Sequence, residues 1–281
     1  MVVVTSGLNW KNEPCSYYLD DNLKKNLDQV KQVVLNKDFD YVAIITGLPG
    51  LGKSNFAINC AKYCDPNFTK ENICFTADDF INKSETLHKA AIVLDESFAS
   101  LNSKVTMSKD FLRIINHLQI IRQRNLFIFL CLPNYFDLAK GVAIYRSHHL
   151  FVCYGKSYGD RGSFLAFDRD AKKDLFIKGQ KFMNYRASEA NFKGTFVIQK
   201  AIDDDVYRDL KFQHLREQEN NIDENKISRS KEERDLCICY MRLILDVPVK
   251  TLCEITDMPQ TTVYDSINRV KEEVLSKWKK A

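Results

Sequence analysis

Eight consecutive residues, Gly47-Leu48-Pro49-Gly50-Leu51-Gly52-Lys53-Ser54, follow the pattern G-x-x-x-x-G-K-[ST], and every fixed position suits the capture of phosphate. Glycines let the main chain turn tightly enough for several N–H groups to converge on one anion, and a helix opening here would add the positive end of its dipole. Lys53 is the expected partner of the β- and γ-phosphates, and the Ser54 hydroxyl is the expected ligand of Mg²⁺. With Asn55 beside them, residues 47–55 form the expected seat of ATP. A second constellation is Ala90-Ala-Ile-Val-Leu-Asp95-Glu96, an apolar run that ends in two carboxylates. Asp95 is suited to hold the Mg²⁺ shell and Glu96 to polarise an attacking water as general base. A plain glycine turn and a surface Asp-Glu pair would leave the same letters, so context decides.

These groups need a frame that joins a loop to the end of a neighbouring strand. The β-branched run Tyr41–Thr46 precedes the glycines and Ser54–Cys64 has helical character, which gives strand, loop, helix. The alternation continues with a strand at Ile73–Thr76, a helix at Ala77–His88, a strand at Ala90–Leu94, a helix at Ser108–Arg122 and a strand at Leu126–Leu132. Tyr135–Tyr145 reads as helical and His149–Tyr154 as a further strand. Strands that are apolar on both faces and separated by helices predict an α/β fold, a parallel sheet with helices on both faces. Ahead of this core, Leu19, Leu23, Leu27, Val30 and Val34 predict an amphipathic helix over 17–36. Behind it, Ser163–Phe167 and Leu175–Ile177 around a polar turn predict a β-hairpin near 155–180.

One extra predicted strand, Ile73–Thr76, stands between the two motifs, and with it the chain resembles the additional-strand catalytic-glutamate division of P-loop nucleotidases. The guanine-reading tetrapeptide Asn-Lys-x-Asp is absent, since Asn82-Lys83 is followed by Ser-Glu. In that division a polar residue after the next strand senses the γ-phosphate, and Asn134 stands at the matching place, with an ordinary turn residue as the other reading. Arg122, Arg124 and Arg146 are candidates for an arginine that completes a neighbour's site in a ring; a structural salt bridge is the competing role for each. Over about 40–200, Ile121-Arg-Gln-Arg-Asn-Leu-Phe-Ile-Phe-Leu-Cys-Leu-Pro-Asn134 and the following Tyr-Phe-Asp-Leu resemble the zonula-occludens-toxin-like ATPases of phages, archaeal viruses and integrated elements. More distantly they resemble genome-packaging and DNA-translocase ATPases. The resemblance implies a homo-oligomer that works on DNA.

Charge is unevenly spread along the 281 residues: the net formal charge is +4, yet residues 104–200 hold 17 Lys/Arg against 7 Asp/Glu. Such a stretch either attracts a polyanion or forms a solvated basic face. Its loop Gly155–Gly162, with Lys156, Tyr158 and Arg161, is a candidate DNA contact, a surface hairpin being the alternative. Nine cysteines show no zinc-like spacing and read as reduced, mostly buried thiols. With no long apolar run and no signal-like start, an intracellular, cytoplasmic protein without a membrane segment is expected. The polar stretch 201–229 reads as a helix and linker between an ATPase domain (1–200) and a three-helix domain (230–281). Within the latter, Val249–Val270 resembles a helix-turn-helix locked by Leu252, Ile255, Met258, Val263 and Ile267, with Asp257 at the turn where glycine is usual. That resemblance would bring Gln260, Thr261, Thr262, Tyr264 and Arg269 to DNA. The unit has no net charge, so a docking surface for a protein partner is the competing reading.

Overall fold

The computed structural model describes residues 2–9, 13–95, 109–157, 159–197, 201 and 204–278, leaving aside the side chains of 109–112, 204, 215, 217–230, 273 and 276–278. Its contacts divide the chain into two units, Met1–Phe212 and Gln213–Ala281. In chain order the elements are strands β1 (Val2–Leu8) and β2 (Pro14–Leu19), helix α1 (Asp21–Asn36), β3 (Tyr41–Thr46), α2 (Lys53–Cys64), β4 (Ile73–Cys74), α3 (Ala77–Thr86), β5 (Ala91–Leu94), α4 (Lys109–Ile120), β6 (Phe127–Leu132), β7 (His149–Tyr154), β8 (Ser163–Phe167), α5 (Arg169–Gly179), β9 (Phe192–Thr195), α6 (Asp204–Leu243), α7 (Val249–Thr256) and α8 (Gln260–Trp278).

The first unit is built on a seven-stranded sheet of order β4-β5-β6-β3-β7-β8-β9. The strands from β4 to β7 pair in parallel, and β8 and β9 extend the sheet antiparallel. Every residue of β3 and β6 is buried, because alternate side chains serve opposite faces. Ala43, Ile45, Phe127, Phe129 and Cys131 join α1 and α2 on one face, while Ile44 meets Tyr135, Phe136 and Phe176, and Val42, Ile128 and Leu130 meet Phe80, Ile114 and Leu118 on the other. The predicted α/β architecture with helices on both faces is what forms. In space, however, the strand inserted between the two motif-bearing strands is β6; β4, which follows the first motif in sequence, lies at the sheet edge.

Three expected elements differ. Residues 17–19 belong to β2, which pairs with β1 in a separate antiparallel ribbon, and Asp20 caps α1 by accepting from the Asn22 and Leu23 N–H groups. Tyr17 and Leu19 face inward at alternate positions, a period of two that the adjoining helical period obscures. The second arm of the expected hairpin, Leu175–Ile177, is helical: Asp168 caps α5 through the Asp170 and Ala171 N–H groups, and Leu175 and Phe176 turn inward. The hairpin that does exist joins β7 to β8 through residues 155–162. Tyr135–Tyr145 divides into a short 3₁₀ turn, Tyr135–Asp137, and a π-helical turn, Gly141–Arg146.

In the second unit, Ile238, Cys239, Leu252, Val263, Ile267, Val270 and Val274 form the core. Asp257 takes the left-handed conformation (φ 53°) that ends α7, which aspartate tolerates better than most residues. Ile255, expected in the core, is 65% exposed; Met258 packs there as expected, and Cys253 does so as well. The polar 201–229 stretch does not form a linker from 204 onward, because its Glu, Gln, Lys and Arg residues sustain helix α6. The division between units falls within that helix.

Candidate functional site

Residues 47–52 form a compact turn between β3 and α2, with Gly47, Gly50 and Gly52 at φ 141°, 82° and 89°. A Cβ on Gly47 would meet the Cys153 carbonyl oxygen at 2.3 Å, so β7 leaves no room for a side chain there. Gly52 caps α2, whose amino end opens on the loop. Lys53 is buried and folds back across the turn, its ammonium donating to the carbonyl oxygens of Gly47 at 2.8 Å and Leu48 at 3.3 Å. Asn55 is buried, whereas Leu48, Pro49 and Gly50 are exposed and Leu51 and Ser54 are half-buried. Beside the loop, burial pushes the Cys153 thiol up to about 12 against the lowering charge of Lys53.

Asp95 ends β5 and is 1% exposed. The Ser54 hydroxyl donates to Asp95 Oδ1 at 2.8 Å, spanning the width of β6. The other carboxylate oxygen accepts from the Tyr207 hydroxyl and has the Lys211 ammonium 3.7 Å away, both from the first turns of α6. Burial, with Asp95 alongside, raises the Tyr207 hydroxyl well above its ordinary value, so it stays protonated and donates. Hydroxyl and carboxylate oxygens are the hard donors that Mg²⁺ takes, and Ser54 with Asp95 fits that ion. Asn134 lies just past β6, whose Leu132 pairs with Thr46 immediately before the glycine loop. The Asn134 carbonyl oxygen accepts from the Tyr185 hydroxyl at 2.8 Å and the Phe136 N–H at 3.3 Å. The fold thus brings Lys53, Ser54, Asp95 and Asn134 to the carboxyl ends of β3, β5 and β6, where open α/β sheets bind ligands. Glu96 lies outside the described residues, as does Tyr158.

Sequence reasoning missed Tyr185, Tyr207 and Lys211, which reach the site from distant segments without a motif. The arginines lie elsewhere. Arg122 and Arg124 precede β6 at the amino end of the sheet, both exposed, with the Arg122 guanidinium 5.3 Å from the Phe39 ring centroid. Arg146 precedes β7 at the same end and pairs with buried Asp40 while donating to the Leu118 carbonyl. These contacts are the structural salt bridge that was the competing reading for Arg146. Lys156 and Arg161 are exposed on the β7–β8 loop, at the carboxyl end and hence the glycine-loop end of the sheet.

In the second unit Gln260, Thr261 and Tyr264 are exposed and Thr262 half-buried at the start of α8. Arg269 instead pairs with Asp235, which is fully buried and also bound by Arg234 at 3.0 Å. Burial pushes the Asp235 carboxyl up, but hydrogen bonds from Ser266 and Arg234 and the charge of Arg269 outweigh it and leave it below the usual carboxylate range. Arg269 therefore has a structural partner where a DNA contact was expected.

A glycine loop after one parallel strand, an acidic residue after another and one strand between them, in a mostly parallel sheet flanked by helices, form the α/β arrangement expected of a P-loop nucleotidase. No protein-family model and no curated protein matches the chain. Among solved structures it is similar to the N-terminal domain of zonular occludens toxin from Neisseria meningitidis, with 15% identity and a TM-score of 0.36 over 58% of this chain and 96% of that one. It is also similar to the genome packaging NTPase B204 from Sulfolobus turreted icosahedral virus 2, solved with ATP-gammaS, with 14% identity and a TM-score of 0.32 over 47% of this chain and 94% of that one.

Proposed function

We propose that the protein is a Mg²⁺-dependent ATPase of a virus or mobile element that acts on DNA as a homo-oligomeric motor. The observation that carries the nucleotide reading is the Ser54–Asp95 hydrogen bond beside a glycine loop that already wraps the Lys53 ammonium. Loop amides and Lys53 would bind the β- and γ-phosphates, the ammonium exchanging two carbonyl oxygens for phosphate oxygens. Ser54 and Asp95 would hold Mg²⁺, which when bound neutralises charge developing on the transferred phosphoryl group. Glu96 would take the proton of the attacking water, and Asn134 would donate to the γ-phosphate. The exposed Lys156 and Arg161 at the same sheet end, within a basic segment, support a polyanion partner. Among the described residues no helix is long and apolar enough to cross a membrane.

The test measures ATP turnover with and without single- and double-stranded DNA, alongside mass in solution with a non-hydrolysable analogue. Stimulated turnover by an oligomer supports a motor; tight DNA binding with unchanged turnover supports a nucleotide-gated regulator instead. A second reading, an assembly ATPase whose C-terminal unit docks a protein, is favoured by one observation. Tyr240, Leu245, Ile255 and Tyr264 are exposed apolar side chains of that unit, while Arg269 is bound internally. Stimulation by a protein partner, and not by DNA, would select it.

A further inference from the structure

Three polar contacts converge on the Tyr185 hydroxyl. The Tyr135 N–H donates to it at 2.9 Å, Asn134 Oδ1 lies at 2.8 Å and Thr46 Oγ1 at 3.3 Å. Their directions follow from donor and acceptor chemistry. An N–H can only donate, so the hydroxyl uses a lone pair on Tyr135. Thr46 has the Pro133 carbonyl at 3.3 Å for its own proton. The phenolic proton is left for its nearest acceptor, Asn134 Oδ1. That same oxygen accepts from the Phe136 N–H, which can only donate, so a flipped amide would set its NH₂ against that N–H. The Asn134 amide therefore has one orientation, with Nδ2 turned from Tyr185 and toward the Met183 sulfur at 3.5 Å, a weak acceptor that an anion would outcompete.

The position of this hub matters as much as its chemistry. Thr46 immediately precedes Gly47, and Asn134 follows the strand that pairs with it. One hydroxyl thus ties together the ends of the two central strands beside the phosphate loop. Burial raises the Tyr185 hydroxyl above its ordinary value, which keeps its proton in place. The ring packs on Phe136 with centroids 4.8 Å apart, so removing the oxygen alone leaves the packing intact.

We propose that Tyr185 is a positioning residue for triphosphate recognition: by holding the carbonyl oxygen of Asn134 it commits the amide NH₂ to donate to the γ-phosphate. This rests on the reading of Asn134 given under the proposed function. Tyr185 touches no phosphate itself, and its effect is confined to ligands that carry the third phosphate.

The experiment compares Mg²⁺-ATPγS and Mg²⁺-ADP binding by calorimetry in the full chain, in Asn134→Ala, in Tyr185→Phe and in the double variant. Losing one hydrogen bond of this kind corresponds to about a three- to tenfold change. Asn134→Ala and Tyr185→Phe are each expected to weaken ATPγS by about that factor and to leave ADP within about twofold. The double variant is expected to match Asn134→Ala alone, since the two residues act as one unit. If Asn134→Ala weakens ATPγS while Tyr185→Phe binds like the parent, the positioning role is overturned and the Asn134 reading stands. If Asn134→Ala itself does not separate the two ligands, the Asn134 reading falls. Equal weakening of both ligands by Tyr185→Phe would mark a merely structural residue and also overturn the proposal. Thermal melts confirm that each variant is folded.

Discussion

On the proposed reading of Asp95 as a Mg²⁺ ligand, the Lys211 ammonium beside it would oppose the metal, and its removal should strengthen metal binding. The ammonium lies 3.7 Å from Asp95 Oδ2, with the lysine side chain 41% exposed and the carboxylate side chain fully buried. At that separation Coulomb's law gives about 1 kcal/mol in bulk water and about 4–5 kcal/mol at an effective dielectric of 20. A side chain this exposed belongs near the lower value, about 1 kcal/mol. A divalent ion on the same carboxylate carries twice the charge but would lie further from that ammonium, so the opposition is about 1–2 kcal/mol, or roughly five- to thirtyfold in affinity. Lys211→Met is therefore expected to lower the Mg²⁺ concentration that half-saturates binding of a fluorescent ATP analogue by about tenfold. The gap should narrow between 0.1 M and 1 M salt, as the screening length falls from about 10 Å to about 3 Å. Lys211→Arg, which keeps the charge, should behave like the parent. A Mg²⁺ requirement that stays the same or rises in Lys211→Met would refute the reasoning, a rise meaning that the ammonium serves the phosphates instead.

Glu96→Gln is expected to retain nucleotide binding while turnover falls about 10²- to 10⁴-fold; single-turnover kinetics at the parent rate would remove Glu96 from the mechanism. Gly47→Ala forces a Cβ to within 2.3 Å of the Cys153 carbonyl oxygen and should abolish ATP binding with a stability loss of about 2–4 kcal/mol, seen by denaturant melts. Lys172 is fully buried and donates to the Ala143 and Ile144 carbonyls, and burial, followed by the charge of Arg169, lowers its ammonium to about 7. The unfolded chain keeps that proton to about 10.4, so the penalty is fully present below pH 7 and fades as pH rises above it. The stability difference between the parent and Lys172→Met should accordingly shift toward the parent by up to about 1.4 kcal/mol per pH unit between pH 7 and 8.5, and a constant difference would contradict the burial argument. Asp235→Asn should loosen the C-terminal unit by about 1–3 kcal/mol through loss of the Arg269 and Arg234 contacts, a change visible as faster amide exchange in α8.

The glycine loop was legible because its signal is local: glycines, lysine and serine stand within eight residues, and the turn they form needs positive φ at Gly47, Gly50 and Gly52. The place of Asp95 was legible for the same reason, as the end of an apolar run. What the sequence hid is non-local. Tyr207 meets Asp95 across 112 residues and Tyr185 meets Asn134 across 51, and a tyrosine carries no spacing rule that announces such a contact. Arg146 illustrates the converse, since its commitment to Asp40, 106 residues earlier, exists only once β3 and β7 pair. Periodicity failed where it was short. Leu175-Phe176-Ile177 is as apolar as a strand, but the cap supplied by Asp168 turns it into helix with Ile177 left outside. Ile255 has helical spacing from Leu252 and yet points to solvent, while Cys253, which carried no such signal, packs against the core.

The sheet also has a direction, and that direction constrains any assembly. Arg122 and Arg124 stand at the start of β6, and the glycine loop stands beyond the end of its neighbour β3, six residues or about 20 Å further along. A copy lending either arginine to the next copy's ATP must present its tail to the other's head. Such contacts use two different patches, so a closed set of them makes a ring, and a set that fails to close grows into a filament.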